Sequence, residues 1–168
     1  MLTLTGGITG TGQALTVGGN GDITISGAIA TGGGTLTKDG AGTLELSGAN
    51  NYSGGTTLTA GTLKLGAADV IPNGGRFTFA GGTLGANNMT ERIGPLSLTA
   101  NSILLLVNDS THGTLTFDSA LLTAGTLTIG NWAGTPGYTG TDDRIFLTPH
   151  PMWPSSPSFN SLNIARAR

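Results

Sequence analysis

Residues 34–66 read GTLTKDGAGTLELSGANNYSGGTTLTAGTLKLG, and the phrase Gly-Thr-Leu opens at 34, 42 and 61 within them. It returns at 82, 113 and 125, so that the steps from 42 to 61 to 82 are 19 and 21 residues. Inside each phrase the character alternates, as in Thr43-Leu44-Glu45-Leu46 and Thr62-Leu63-Lys64-Leu65. A period of two is that of a strand, with leucines on one face and Thr, Glu and Lys on the other. A step of about 20 residues with two or three short strands is the size of one coil of a β-solenoid. The spacing therefore predicts parallel strands over 35–129, wound with little or no helix. Leu44, Leu46, Leu58, Leu63, Leu65, Phe79, Leu84, Leu115 and Leu127 should point inward. It also places Glu45 and Lys64 at equivalent outward positions one coil apart, with Cβ atoms about 5 Å from each other.

The same reading extends to later leucines. Leu96 and Leu98 stand 19 residues before Leu115 and Phe117, and Leu104 and Leu106 stand 23 before Leu127 and Ile129. These pairs are expected to stack. A β-sandwich also uses short alternating strands, but it does not predict one phrase returning at one register, so the solenoid is preferred.

Composition agrees with an all-β chain. Among 168 residues are 30 glycines and 28 threonines, about a third of the total, and 37 % of the chain is hydrophobic, enough for a core. The glycines follow no three-residue period, which excludes collagen. A net charge of −2 with Leu, Ile, Val and Phe at spaced positions fits simple disorder poorly. Threonine and branched apolar residues favour strands, and Gly and Asn favour tight turns. There is no Lys/Arg cluster, so neither nucleic acid nor anionic lipid is an expected partner. With no cysteine, disulfides, zinc–thiolate sites and thiol chemistry are excluded. The longest apolar run, Ile103 to Val107, is far shorter than a membrane span.

After Thr148 the character changes, because Pro149, Pro151, Pro154 and Pro157 are four of the seven prolines. Such a stretch cannot join a ladder. Two regions are expected: a β-helical repeat domain at 1–148 and a Pro-rich tail at 149–168, disordered or out of frame. The opening MLTLTGGITGTG lacks the basic start and apolar stretch of a signal peptide. The chain is then either cytoplasmic or, the reading preferred, a piece of a longer precursor.

Groups that could carry chemistry are few. His112 lies in Asp109-Ser110-Thr111-His112-Gly113, a turn pattern, and adjacent residues rarely converge in triad geometry. His150 sits in the Pro-rich tail. Gly18-Gly19-Asn20-Gly21-Asp22-Ile23-Thr24-Ile25 comes within one residue of the calcium-binding β-roll phrase, but it is single, and it is read as a Gly-rich turn. Asp142-Asp143-Arg144 is the only compact charged cluster; neighbouring strand residues face opposite ways, so it is expected to start a strand. Trp132, Tyr138 and Trp153 could stack on sugars, with Trp132 more simply covering an open core. Asn51, Asn88 and Asn108 begin Asn-x-Ser/Thr triplets, expected by chance in a chain this rich in Asn and Thr. No phosphate-binding glycine motif is present. The sequence thus assigns no catalytic, cofactor-binding or metal residue and no cofactor.

Residues 34–66 also carry a resemblance. Leu-Thr-Lys-Asp-Gly-Ala-Gly-Thr-Leu, then Ser-Gly-Ala-Asn-Asn-Tyr-Ser-Gly-Gly-Thr and a closing Gly-Thr-Leu, resemble the autotransporter-associated β-strand repeat. Asn51 stands where members more often carry Thr. Residues 96–147, with Gly-Thr-Leu-Thr-Ile-Gly-Asn-Trp and Asp-Asp-Arg-Ile-Phe-Leu, are similar, more loosely, to the segment that often follows such repeats. The resemblance implies a right-handed parallel β-helix in a bacterial surface or secreted protein, outer-membrane-associated. Such proteins carry a secretion signal in front and a membrane barrel of roughly a dozen strands behind; neither is visible here. The expected function is structural or display, without catalysis. The alternative is a carbohydrate-active β-helix, either lyase or glycan-binding module. Surface glycans and neighbouring coils of a longer chain are the partners to consider.

Overall fold

The computed structural model describes residues 1–106 and 113–130, together with the backbone of 144–147. Every element among them is a strand, and every strand pair is parallel. The strands stack as a β-solenoid of about six coils roughly 21 residues apart.

Each coil contributes one strand to each of two long faces. The first face holds seven strands, in order Leu2–Leu4, Ile23–Ile25, Thr43–Leu46, Thr62–Leu65, Thr83–Gly85, Ser102–Leu105 and Leu127–Gly130. The second holds six: Leu15–Val17, Leu36–Lys38, Thr56–Leu58, Phe77–Phe79, Leu96–Leu98 and Ala120–Leu122. A third face is discontinuous. Ile8–Thr9 pairs with Ile29–Ala30, and ladder pairing resumes only at Glu91–Ile93, followed by Thr114–Phe117 and Arg144–Leu147.

The alternation seen in sequence sets the register. Ile23, Leu44, Leu63, Leu84, Leu104 and Ile129 are successive partners across the first face. Each such side chain is roofed and floored by its equivalents, so the core is a set of columns. Leu44, Leu46, Leu58, Leu63, Leu65, Phe79 and Leu84 are 0 % exposed, and Leu115 and Leu127 are 1 % and 5 %. All nine inward residues expected from the pattern are in the core. Burying one leucine is worth about 1.5–3 kcal/mol, and the columns repeat that gain coil after coil.

The glycine of Gly-Thr-Leu has a steric cause. Gly61 turns the chain with φ 63°, as Gly40 and Gly82 do one coil before and after with φ 73° and 69°. A Cβ at Gly61 would run into the stacked carbonyls of Gly40 and Gly42. Only glycine supplies both the left-handed backbone and the missing atom.

Parallel coils also precede residue 35, within the domain expected at 1–148, since Leu2 pairs with Ile23, and Ile23 with Leu44. Two expectations need correction. Leu96 and Leu98 do not stack on Leu115 and Phe117: they pair with Ala120 and Leu122, while Leu115 and Phe117 pair with Glu91 and Ile93. Alternation is the same on every face, so leucine spacing alone does not say which face a strand belongs to. Leu104 stacks on Ile129, not Leu127, which is the partner of Ser102. That last step spans 25 residues, against 19 to 21 for the earlier steps on this face, and the leucine pattern closes it two residues short. The tail expected at 149–168 lies outside the described residues.

Candidate functional site

The sequence candidates separate into two groups. Asp109, Ser110, His112, Trp132, Tyr138, Asp142, Asp143, His150 and Trp153 lie outside the described residues, as does Asn108. Arg144 opens the strand Arg144–Leu147, as expected, with its backbone paired to Thr114. The Gly18–Ile25 phrase is resolved differently from a calcium loop. The Asp22 carboxylate accepts the Thr43 amide at 2.9 Å, one coil on. That bond holds the carboxyl below the usual range for an aspartate. Asp22 therefore closes a turn of the next coil. Asn51 is exposed. Among the described residues no three His, Cys, Asp or Glu gather as a metal would require.

Among the described residues, two sets of buried polar side chains lie inside the solenoid, at positions not singled out by motif. Lys38 ends the strand Leu36–Lys38 in the inward phase set by Leu36. It is 2 % exposed and stacks between Val17 and Leu58. Its ammonium reaches the turn, where Nζ donates to the carbonyls of Asp39 and Gly40, both at 2.8 Å, and of Ala60 at 3.3 Å. Burial lowers its pKa, and the charge of Asp39 opposes that. The lysine ties one turn to the next, using carbonyls that the glycine-rich corner leaves unpaired.

A second polar set fills the gap in the third face. Beyond Ile29–Ala30 no ladder forms there until Glu91, because the next coil passes through Asn50 and the one after through the long loop 66–76. Side chains replace the missing backbone partners. Asn50 Oδ1 accepts the Ile29 amide at 2.7 Å, and its Nδ2 donates to the Val70 carbonyl at 2.8 Å. The Glu91 carboxylate then accepts the Val70 amide at 3.1 Å and the Ile71 amide at 2.6 Å. One hydrogen-bonded column thus runs from Ile29 through Asn50 and Val70 to Glu91, in steps of 20 or 21 residues. Val70 and Ile71, 1 % and 2 % exposed, plug the core at this corner. Close by, the buried Tyr52 hydroxyl bonds Thr56 Oγ1 at 2.8 Å, and burial first of all raises the phenol pKa.

Glu91 is 1 % exposed and makes no ion pair among the described residues. Burial pushes its pKa up to about 7, against the pull of the Ile71 and Val70 amides, with the charge of Asp69 adding to the rise. Sequence carried a usable signal for both buried charges. In Leu36-Thr37-Lys38 and Glu91-Arg92-Ile93 the ionisable residue falls in the inward phase of an alternating strand.

This arrangement joins coils to one another. It contains a buried ammonium, a side-chain amide, a phenol and one carboxyl, all engaged within the solenoid, and the class it defines is a parallel β-solenoid whose corner side chains bridge successive coils. Residues 36–65 match the family model described as the passenger-associated-transport-repeat, so the chain contains one such repeat. The matched segment runs from the strand Leu36–Lys38 to the strand Thr62–Leu65, a little more than one coil. No curated protein and no solved structure matches the chain.

Proposed function

We propose that this chain is a structural or display segment of an autotransporter-like passenger, secreted or held at a bacterial cell surface, and that it catalyses no reaction itself. The observation that carries the reading is the passenger-associated-transport-repeat at 36–65. The coil it encodes is continued in both directions by coils of the same register, from Leu2 to Gly130. A solenoid of this kind makes length from repetition, each coil burying its apolar columns against its neighbours. What it presents outward is mainly short and polar: Thr16, Thr37, Thr57 and Thr78 form one row across the second face.

The test has two arms. Protease treatment of intact cells of the source bacterium, followed by antibody detection of this segment, should remove it if it is displayed outside; protection until lysis would sink the localisation. The purified chain, offered pectin and other acidic polysaccharides with calcium, should release no unsaturated product. Product formation abolished by Arg144→Ala would replace the structural reading with a polysaccharide lyase.

A further inference from the structure

The corner that leads from the second face to the first changes length along the stack. Between register-matched residues of the two faces the chain takes six steps from Val17 to Ile23 and from Lys38 to Leu44. It takes five from Leu58 to Leu63 and from Phe79 to Leu84. It then takes six from Leu98 to Leu104 and seven from Leu122 to Ile129. Three junctions therefore stack corners of unequal length, those following Lys38, Phe79 and Leu98. The first of these is where the corner shortens.

Side chains mark the unequal junctions. At every junction the strand-end carbonyl accepts an amide of the following coil, from Asp39, Thr59, Ala80, Thr99 and Thr123 in turn. At the three unequal ones that carbonyl also accepts a threonine hydroxyl, from Thr59 at 2.9 Å, Thr99 at 3.1 Å and Thr123 at 2.9 Å. At the two equal ones the same place is held by Asp39 and Ala80, which have no hydroxyl. In this ladder the following coil supplies donors and the preceding coil acceptors. A five-step corner above a six-step one is thus an amide short. Lys38 stands at that junction, and Nζ donates to the carbonyls of Asp39 and Gly40 in the longer corner and of Ala60 in the shorter. An ammonium has three protons to give.

We propose that Lys38 is a register pin, placed where the corner shortens so that the following coil seats in one pairing only. The leucine pattern does not enforce that pairing by itself. A slip of two residues keeps every alternating side chain on its own face, so the apolar columns tolerate it. The same slip would carry the Lys38 ammonium away from Ala60 and leave a buried charge short of acceptors. The pin is needed because of the change in corner length, and it should lose its importance when that change is moved elsewhere.

Lys38→Met, which keeps an apolar stem and removes the donors, tests this in two chains. One is the wild type. In the other, residues 59–61 are replaced by the Asp-Gly-Ala-Gly of 39–42, which makes the corner after Leu58 six steps and moves the shortening one coil on. Amide hydrogen exchange of the whole chain reads the junction at Thr62, whose amide bonds the Gly42 carbonyl, with Thr83, bonded to Gly61 across an equal junction, as control. In the wild type Lys38→Met should lower protection of Thr62 at least tenfold and spare Thr83. In the transplanted chain the equivalent of Thr62 should keep its protection within about twofold. Leu58→Lys, at the new shortening, should raise the urea midpoint there and lower it in the wild type. The same loss from Lys38→Met in both chains, or Leu58→Lys harmful in both, would overturn the pin. Should the transplanted chain not fold, the wild type decides: loss confined to Thr62 supports the pin, and equal loss at Thr62 and Thr83, unfolding included, overturns it.

Discussion

Lys64 and Glu45 lie side by side on adjacent strands, nineteen residues apart in the chain, with Nζ 2.7 Å from Oε2. Their side chains keep 42 % and 30 % of their surface in water. A pair so exposed is screened by solvent and contributes only about 0–1 kcal/mol. A double-mutant cycle through Glu45→Gln and Lys64→Met should give a coupling within that range, falling toward zero at high salt. A coupling well above it would mean the outer surface is drier than this geometry implies.

Leu63→Asp should be far more damaging. Leu63 is 0 % exposed, between Leu44 and Leu84. The substitution buries an unpaired charge and removes the contacts of two interfaces, and a loss above about 4 kcal/mol is expected. Thermal unfolding should shift sharply downward or the chain should fail to fold; a nearly unchanged melting curve would place Leu63 in solvent.

Asn50 and Asn51 are neighbours in sequence with opposite predicted sensitivities. Asn50→Ala strands the Ile29 amide and the Val70 carbonyl, costing about 2–4 kcal/mol for two unmet buried groups. Asn51→Ala changes an exposed side chain, and its effect should stay within about 0.5 kcal/mol. Denaturant unfolding of the two variants measures the contrast, and equal losses would contradict it.

Gly61→Ala should cost about 1–3 kcal/mol from its backbone conformation alone. The added methyl would also meet the Gly40 and Gly42 carbonyls and Lys38 Nζ, at 2.8 Å from the last. Gly74→Ala, in open space and without a positive φ, is the control and should be nearly neutral. Urea midpoints for the two should differ clearly.

Much of the architecture was legible because it depends on two periods. Alternation told which side chains of Thr43–Leu46 and Thr62–Leu65 face inward, and the 19-residue step told that Glu45 would meet Lys64. Where every face alternates alike, these periods run out. The misassigned partners of Leu96, Leu104 and Leu115 arose there, since turn length decides the register and no local pattern reports it. The interior polar groups were harder for another reason. Motif searching looks for ionisable residues grouped in sequence, whereas Asn50 and Glu91 meet through Val70, about 20 residues from each. Lys38 likewise stands inside the repeat stretch 34–66, yet its partners are main-chain carbonyls that carry no sequence label.

The register also has a mechanical consequence. On the two long faces each inner strand is hydrogen-bonded to its equivalents one coil before and one coil after, so the bonds point along the direction in which coils pile up. Tension on the two ends would load them in line, row by row, rather than shearing all of them together. The chain would then yield from its ends, one coil at a time. Each rupture would free roughly 21 residues, about 70 Å of extended polypeptide. Such a tether gives way in steps under pulling and keeps its remaining coils intact.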